Sequence, residues 1–262
     1  MKDHPRSLSN RSQVQQSFGR GLATYHGAAV AQKQIAQELV ARLLEARGTH
    51  TVPHAFEFGC GTGHVTEALT ASLDIERLLL NDLVPDAEAI ACPMAEGNGA
   101  QVTFASGAIE QLDLPDQLDL ICSGSTLQWV EDGPHVLRRL CDHLRPGGWL
   151  ALSTFGTAHF QELIALGSVS AAPNYSDLDE LQDWLPQGLV AMSAEQAPIT
   201  LQFPDARAVL RHLRGTGVNA RSGQHWTRAH LRAFEDQYRD TFGAAGQLPL
   251  TYDAVWMIAQ KQ

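Results

Sequence analysis

Residues 55–63 of this 262-residue chain read AFEFGCGTG, a short apolar strand carrying one acid and then three glycines at alternate positions. The run 64–72 that follows predicts a helix, so the stretch reads as strand, glycine loop and helix. Glycine lets a backbone turn sharply and approach a ligand closely, and a helix N-terminus presents free N–H groups. The carboxylate of Glu57 at the end of the strand can hold an ammonium or a hydroxyl group. The stretch therefore predicts a ligand site, with a plain tight turn as the alternative.

The spacing of the glycines separates two classes of ligand. Dinucleotide-binding proteins use G-x-G-x-x-G, in which the helix N-terminus faces a pyrophosphate. Here the sixth position of that pattern is His64, so the chain carries G-x-G-x-G preceded by an acid. This variant suits a cofactor without a pyrophosphate and disfavours a nicotinamide-dependent oxidoreductase.

The composition excludes several classes of protein. No apolar run approaches the ~20 residues that cross a membrane, and the polar N-terminus does not resemble a secretory signal. The net charge of −10 disfavours nucleic acid and membrane surfaces as partners. The histidines show no metal-ligand spacing, so no metal is predicted, and no feature requires an oligomer. Four widely spaced cysteines predict reduced thiols and a cytoplasmic location: Cys60, Cys92, Cys122 and Cys141.

The rest of the chain alternates strands with helices, which predicts an α/β fold with a mostly parallel sheet covered by helices on both faces. Seven strands are predicted, at 55–58, 77–81, 101–105, 118–123, 149–154, 198–203 and 250–259. Helices are predicted at 12–20, 27–46, 134–144 and 159–166 and in arginine-rich segments within 205–242. The predicted domains are an N-terminal helical cap at 1–50, a core at 51–204, a helical insertion at 205–245 and a final core strand at 246–262.

Ligands of such a sheet bind beyond the carboxyl ends of its strands. Asp82 follows the second strand, where its carboxylate can accept hydrogen bonds from both hydroxyls of a ribose or cap the next turn. The loops 107–109 and 123–129 follow the third and fourth strands. The second of these loops ends in Trp129, which can contact a ligand or merely pack. These loops are the candidate site.

The charges of the chain are unevenly distributed. Residues 206–234 contain no Asp, Glu or Lys but hold six arginines: Arg207, Arg211, Arg214, Arg221, Arg228 and Arg232. In an acidic chain such a segment indicates an anionic partner, and the alternative is pairing with acids elsewhere in the fold. The first three arginines are spaced four and three apart and therefore share one face of a helix.

The glycine motif with its acid resembles motif I of class I S-adenosylmethionine (SAM) methyltransferases, which implies a Rossmann-like fold. Narrower blocks resemble the BioC-type malonyl-acyl-carrier-protein O-methyltransferases of biotin synthesis. These blocks are Phe18…Ala23-Thr24-Tyr25…Ala29…Gln32, Asn81-Asp82-Leu83, Leu127-Gln128-Trp129, LRPGG at 144–148, STFG at 153–156 and LRGTGVNA at 213–220. The resemblance covers most of the chain, from about residue 12 to residue 220.

The resemblance implies SAM as the cofactor, S-adenosyl-L-homocysteine as its product and no metal. Cofactor-binding residues are expected at Tyr25, Gln32, Glu57, Gly59, Gly61, Gly63, Asp82, Leu83, Ala108, Ile109 and Ser123. Three positions depart from the family, since Ala108 and His26 stand where Asp is usual and Gly124 stands where Asn is usual. The missing acid would hold the adenine amino group, so the backbone of Ala108 and Ile109 is expected to serve instead.

The reaction implied is methyl transfer from SAM to the free carboxylate of a malonyl thioester on acyl carrier protein, with malonyl-CoA as an alternative carrier. A carboxylate with a pKa near ~4 is ionised at pH 7 and needs no general base. Positioning residues are expected instead, at Arg211, Arg214, Gln128, Trp129 and Tyr25. The six arginines are expected to bind the carrier protein, with Arg211 or Arg214 nearest the malonyl carboxylate. Tyr25 has an alternative role in packing alone.

Two other functions are compatible with the sequence. One is a SAM-dependent methyltransferase acting on a small carboxylic acid, such as the trans-aconitate type, or on a quinone precursor. The other is a non-catalytic SAM-binding protein on the same fold, which the intact glycine motif and Asp82 disfavour. The choice between carrier-bound and free acids as substrate separates the methyltransferases.

Overall fold

The computed structural model describes residues 15, 16, 19, 25–168, 172, 174–216 and 227–262. The predictions for Phe18, Ala23, Thr24 and Arg221 lie outside the described residues, as does most of the helix predicted at 12–20. Within the described ranges, no helix combines the length and the apolar character needed to cross a membrane.

Seven strands form one sheet in the spatial order β3-β2-β1-β4-β5-β7-β6. Strands β1 to β5 are parallel to one another, whereas β7 is antiparallel to both β5 and β6. The strands are β1 (Thr51–Phe58), β2 (Asp74–Asp82), β3 (Gln101–Ser106), β4 (Leu118–Gly124), β5 (Leu144–Phe155), β6 (Leu189–Phe203) and β7 (Leu248–Lys261). The predicted seven-stranded, mostly parallel sheet is confirmed.

Helices cover both faces of the sheet because successive strand residues point to opposite faces. Ala55 belongs to a buried cluster shared with α1, α2 and α3, and Phe56 belongs to a second cluster shared with α4 and α6. The helices in the described residues are α1 (Val30–Arg47), α2 (His64–Ser72), α3 (Glu88–Glu96), α4 (Gly133–Asp142), α5 (Gln161–Ala165), α6 (Leu178–Asp183), α7 (Ala206–Gly215) and α8 (Arg228–Phe242). Apolar contacts on the two faces therefore hold the glycine loop between buried layers.

Strand β6 is longer than predicted. The sequence predicted a strand only at 198–203 and a looser stretch before it, because prolines interrupt this region. In the structure, β6 begins at Leu189 and pairs with β7 along its whole length, with Pro198 opposite Asp253. β6 is an edge strand, and an edge strand tolerates a proline because one of its sides has no ladder to supply with an N–H donor. Helices α3 and α6 were not predicted either, and α3 contains Pro93.

The topology places the start of α7 at the same edge of the sheet as the glycine loop. β6 and β5 are each antiparallel to β7 and therefore run in the same direction. The carboxyl end of β6 consequently lies at the same edge of the sheet as the carboxyl ends of β1 to β5. Helix α7 begins three residues after that end and packs against α8. The predicted division of the chain at residues 50, 204 and 245 stays a prediction.

Candidate functional site

A cleft lies at the carboxyl ends of β1, β2, β3 and β4, beneath the turn 25–28 that precedes α1. Most residues predicted to bind a cofactor line it together: Tyr25, Gln32, Glu57, Gly59, Gly61, Asp82, Leu83, Ala108 and Ile109. Trp129 lines it as well. These residues come from five separate segments, and the parallel topology brings them together as expected.

The turn at Gly59 needs a glycine for two reasons. Its backbone φ is +67°, a left-handed conformation that side chains disfavour. A Cβ atom at this position would lie 2.2 Å from Oγ1 of Thr126, which itself donates a hydrogen bond to the Gly59 carbonyl at 3.2 Å. The glycine loop is therefore held directly against the loop that follows β4.

Glu57 is a buried carboxyl group beside that loop. Only 1% of its surface is exposed, and Thr66 Oγ1 donates a hydrogen bond to its Oε2 at 2.8 Å. Burial raises the pKa of Glu57 to about 8, because the apolar surroundings disfavour the charged form. An ionised Glu57 therefore needs a cation.

Gln32 adds an unsatisfied acceptor to the same cleft. Its Oε1 is buried and has no hydrogen-bond partner within the described part of the chain. A buried acceptor without a donor is costly. An ammonium group brings one positive charge and three donors, which suits Glu57 and Gln32 together. The residues present thus fit the amino-acid end of the predicted cofactor.

Asp82 performs the turn-capping role and keeps capacity for a ligand. Its Oδ1 accepts a hydrogen bond from the Val84 N–H, and its Oδ2 accepts one from the Gly61 N–H, each at 2.8 Å. Burial raises the pKa of Asp82, and these backbone donors oppose the rise. A carboxylate has about four acceptor sites, and the backbone donors do not occupy all of them. Asp82 therefore ties the glycine loop to β2 and still offers acceptors to a diol.

Two predicted cofactor residues do not line the cleft. Gly63 turns the chain into α2, and a Cβ atom there would lie 3.0 Å from Sδ of Met94, so its glycine serves the packing of α2 on α3. Ser123 is fully buried, and its hydroxyl donates to the carbonyl of Phe58 at 2.7 Å. Its role is to join β4 to β1, which corrects the prediction.

Arg139 fixes the loop that carries Ala108 and Ile109. Its guanidinium donates to the carbonyls of Ile109 and Leu112, the latter at 2.7 Å. The carbonyl of Ala108 accepts from the N–H of Gln111 at 3.0 Å. The carbonyl of Ile109 also accepts from the N–H of Leu112 at 3.4 Å, so it already accepts two hydrogen bonds, and only the carbonyl of Ala108 keeps a second lone pair.

A smaller cavity adjoins the cleft, and four residues line both: Tyr25, Gln32, Ser125 and Trp129. The remaining residues that line it are Gln128, Phe155, His159, Phe160, Tyr175 and Thr216. No Asp, Glu, Lys or Arg of the described chain is among them. The cavity is therefore aromatic and neutral, with hydroxyl, amide and imidazole groups as its polar members.

Gln128 is held in one orientation in this cavity. Its Nε2 donates to the Ser125 carbonyl at 2.7 Å, and its Oε1 accepts from Thr154 Oγ1 at 3.1 Å. One N–H of the amide is left for a ligand. Gln128 therefore joins Trp129 and Tyr25 at the expected place.

His159 is a cavity residue that sequence reasoning missed. Its ring lies 4.0 Å from the ring of Phe155 and 3.8 Å from that of Phe160, measured between centroids. Burial lowers its pKa to about 3, so the imidazole is uncharged at neutral pH. The position of His159 shortly after β5 could have indicated this role, because the carboxyl end of β5 lies at the edge of the sheet where ligands bind. Tyr175 and Thr216 were also missed, and no local sequence pattern predicts that they line the cavity.

The five described arginines of the segment 206–234 are exposed on α7 and α8. None of them forms an ion pair with an acid of the described residues, whereas Arg42, Arg145 and Arg239 each do. None lines the cleft or the smaller cavity. Thr216, directly after α7, does line the cavity, so the end of α7 lies beside it, and α8 packs against α7. Internal pairing of these arginines is therefore not seen within the described residues, and an external anionic partner stays a prediction.

Gly124 accounts for one departure from the related sequences. A Cβ atom at this position would lie 2.5 Å from Cγ2 of Val65. We expect Gly124→Asn to lower the free energy of unfolding by about 1–3 kcal/mol through overpacking. Denaturant unfolding measures the loss. The double variant with Val65→Ala should cost less than the sum of the two single changes, and strict additivity would contradict this explanation.

Comparisons with known proteins agree with this geometry. A family model described as a methyltransferase domain matches residues 56–152. The chain is 37% identical to the malonyl-[acyl-carrier protein] O-methyltransferase of Prosthecochloris aestuarii over 96% of this chain and 94% of that protein. It is 34% identical to the protein of the same name from Chlorobium luteolum, with 97% of each covered.

A solved structure supports the fold. The N-methyltransferase NodS of Bradyrhizobium japonicum WM9, in complex with S-adenosyl-L-homocysteine, superposes with a TM-score of 0.58 at 18% identity. The match covers 95% of this chain and 98% of NodS. The Rossmann-like methyltransferase fold is therefore confirmed, and the near full-length identities above identify the narrower group. The chain belongs to the malonyl-[acyl-carrier protein] O-methyltransferase family.

Proposed function

We propose that this chain transfers a methyl group from SAM to the free carboxylate of a malonyl group carried on acyl carrier protein. The observation that carries the proposal is the pair of adjoining cavities. One offers Glu57 and Gln32 to an ammonium, and the other is neutral and shares a wall with it. The names of the relatives supply the identity of the substrate.

The neutral cavity suits a carboxylate nucleophile. Bound SAM supplies an electrophilic methyl group on a positively charged sulfur. A malonyl carboxylate is already ionised at pH 7, so no residue has to remove a proton. Neutral donors such as the free N–H of Gln128 can orient the carboxylate, whereas a charged donor would stabilise the ground state more than the transition state needs. Orientation of this kind can contribute roughly 7–11 kcal/mol.

Aromatic walls complete the acceptor site. Phe155, Phe160 and Trp129 keep water away from the carboxylate, which leaves its oxygen less solvated and more nucleophilic. Tyr25 lies at the boundary between the two cavities, on the turn that precedes α1. We assign Tyr25, Gln128 and Trp129 as positioning residues for the two reactants.

The arginines of α7 and α8 are proposed to bind the acidic carrier protein. They are exposed, close to the cavity and without internal ion pairs in the described residues. Carrier-protein binding beside Thr216 would let a thioester arm enter the cavity from this side. The expectation that Arg211 or Arg214 lies nearest the malonyl carboxylate is tested separately from docking. Participation in biotin synthesis stays a prediction.

The decisive experiment is intact-protein mass spectrometry of malonyl-acyl carrier protein after incubation with the enzyme and SAM. We expect a gain of one methyl group, and no gain on acetyl-acyl carrier protein, which lacks the free carboxylate. Asp82→Asn should abolish the gain, and Asp86→Asn should retain it, since Asp86 is exposed and lies outside the cleft. Binding of SAM without transfer to malonyl-acyl carrier protein would contradict the proposal and favour a small acid as substrate.

A further inference from the structure

One residue that lines the cleft, His64, forms a cluster with two neighbouring side chains, and the proposed reaction gives this cluster no role. The members of the cluster are His26, His64 and Glu67, and their candidate ligand atoms all lie within 4.8 Å of one another. Two imidazoles with a carboxylate are a donor set that divalent transition metals such as Zn²⁺ prefer. The sequence predicted no metal, and His26 and His64 lie 38 positions apart, so no local spacing joins them.

The fold brings the cluster together in two steps. His64 is the first residue of α2 and Glu67 lies three positions later, so both side chains stand on one face of that helix. His26 comes from the turn 25–28 that precedes α1 and rests face to face on His64, with 4.4 Å between the ring centroids. The cluster therefore joins the N-terminal turn to the helix that follows the glycine loop.

His64 is the least satisfied member of the cluster. It is 8% exposed, and neither of its ring nitrogens has a hydrogen-bond partner in the described chain. An imidazole buried without a partner costs free energy. Its uncharged form keeps a lone pair on one nitrogen, which a metal ion can accept. The unpartnered imidazole of His64 thus indicates a ligand independently of the short distances within the cluster.

His26 has one ring nitrogen to offer a metal ion, and its ring would turn out of the stack to bring that nitrogen and a nitrogen of His64 to one ion. The Nδ1 atom of His26 lies 3.1 Å from the carbonyl oxygen of Thr62. A carbonyl only accepts hydrogen bonds, so Nδ1 carries the proton and Nε2 keeps its lone pair. Histidine ligands in metal sites commonly donate their second N–H to a carbonyl in this way, which fixes the tautomer and the ring.

Glu67 has a partner that a metal ion can replace. Its carboxylate lies 3.4 Å from Nζ of Lys33, and both side chains are nearly half exposed. An exposed pair of this kind contributes little, about 0.2–1 kcal/mol. A divalent ion held by His26 and His64 offers the carboxylate a stronger partner. The nearby ammonium of Lys33 lowers the affinity of the site for a cation without blocking it.

We propose that His26, His64 and Glu67 bind one divalent transition-metal ion of the Zn²⁺ type. Three protein ligands leave a fourth position for water or a small ligand. Since His26 directly follows Tyr25, the ion would fasten the turn that carries Tyr25 to α2. The site would therefore order the wall that the cleft and the smaller cavity share.

Cobalt absorption on the whole metal-free chain tests the proposal. We expect one Co²⁺ per chain, with the intense visible bands of a four-coordinate site, and displacement of the Co²⁺ by Zn²⁺. His26→Ala should weaken binding by about tenfold or more, since it removes one of three ligands. His230→Ala is the matched control, because His230 is exposed on α8 and distant in sequence from the cluster. This control should bind like the unaltered chain.

A second variant and a second measurement separate the metal site from weak surface binding. Glu67→Gln keeps the shape of the side chain and should also weaken binding. Hydrogen exchange of residues 25–28 should slow on addition of Zn²⁺ in the unaltered chain and stay unchanged in His26→Ala. Equal Co²⁺ binding by His26→Ala and His230→Ala would overturn the proposal, as would absence of stoichiometric binding. Neither readout depends on methyl transfer, so this result is independent of the proposed function.

Discussion

Replacing Glu57 by glutamine should weaken the binding of S-adenosyl-L-homocysteine about 100-fold or more. Removal of one partner from a buried, hydrogen-bonded charge pair costs about 2–5 kcal/mol, because the remaining charge is left without compensation. Glutamine keeps the shape of Glu57 and its contact with Thr66 while removing the charge. Isothermal titration calorimetry measures the loss, and Glu88→Gln, a change at an exposed acid on α3, should leave the affinity unchanged.

The pH dependence of binding follows from the same carboxyl group. The pKa of Glu57 is about 8 in the free protein, so at pH 6–7 the group is mostly protonated. A bound ammonium favours the ionised form, so binding below pH 8 releases a proton. Affinity should therefore rise with pH up to about 8, by as much as tenfold per pH unit. Titrations in buffers of different ionisation enthalpy count the released proton.

The stability of the free protein should show the opposite trend. A carboxyl group whose pKa is higher in the folded than in the unfolded chain stabilises the folded state fully below the ordinary value of 4.5. This contribution is lost as the pH rises from 4.5 to about 8. The midpoint temperature of thermal unfolding should therefore fall more steeply over this pH range for the unaltered chain than for Glu57→Gln. An identical slope of affinity or of stability against pH in both proteins would contradict the role of Glu57.

The glycine loop and its surroundings were predictable because their signals are local. The spacing of Gly59 and Gly61 indicates a turn, Glu57 lies two residues before Gly59, and Asp82 ends the next buried strand. The parallel topology then converts these separate local signals into one edge of the sheet. For this reason the sequence was sufficient to predict most of the cleft.

The remaining features depend on contacts between distant segments. Ser123 follows the same strand-end rule as Asp82, yet its side chain points into the sheet and bonds to Phe58. The meeting of His26 with His64, and of Tyr175 with His159, depends on how the chain before α1 and after α5 folds back. The hydrophobic periodicity of the sequence does not predict contacts between segments this far apart. The full length of β6 was not predicted for a different reason. Pro198 suggested a break in the strand, but an edge strand permits a proline that a central strand excludes.

Reversal of charge on the arginine-bearing helices should lower kcat/KM for malonyl-acyl carrier protein about 100-fold at low ionic strength. The variant is Arg211→Glu with Arg214→Glu on α7, or Arg228→Glu with Arg232→Glu on α8. Opposite charges speed association by 10- to 1000-fold, and an acidic partner would meet repulsion in place of attraction. Steady-state kinetics measure the loss, and added salt should narrow the difference between variant and unaltered enzyme.

A matched control separates docking from net charge. Arg77→Glu with Arg138→Glu makes the same change in charge at two other exposed arginines, one near the start of β2 and one on α4. This control should keep most of the activity, because neither residue lies near the cavity mouth. A malonyl thioester of a short uncharged thiol divides the two roles of α7. Unchanged turnover by the α7 variant assigns Arg211 and Arg214 to docking, and lost turnover places one of them at the malonyl carboxylate. Equal losses in the control and in both helix variants would show that total charge, not this surface, governs the carrier protein.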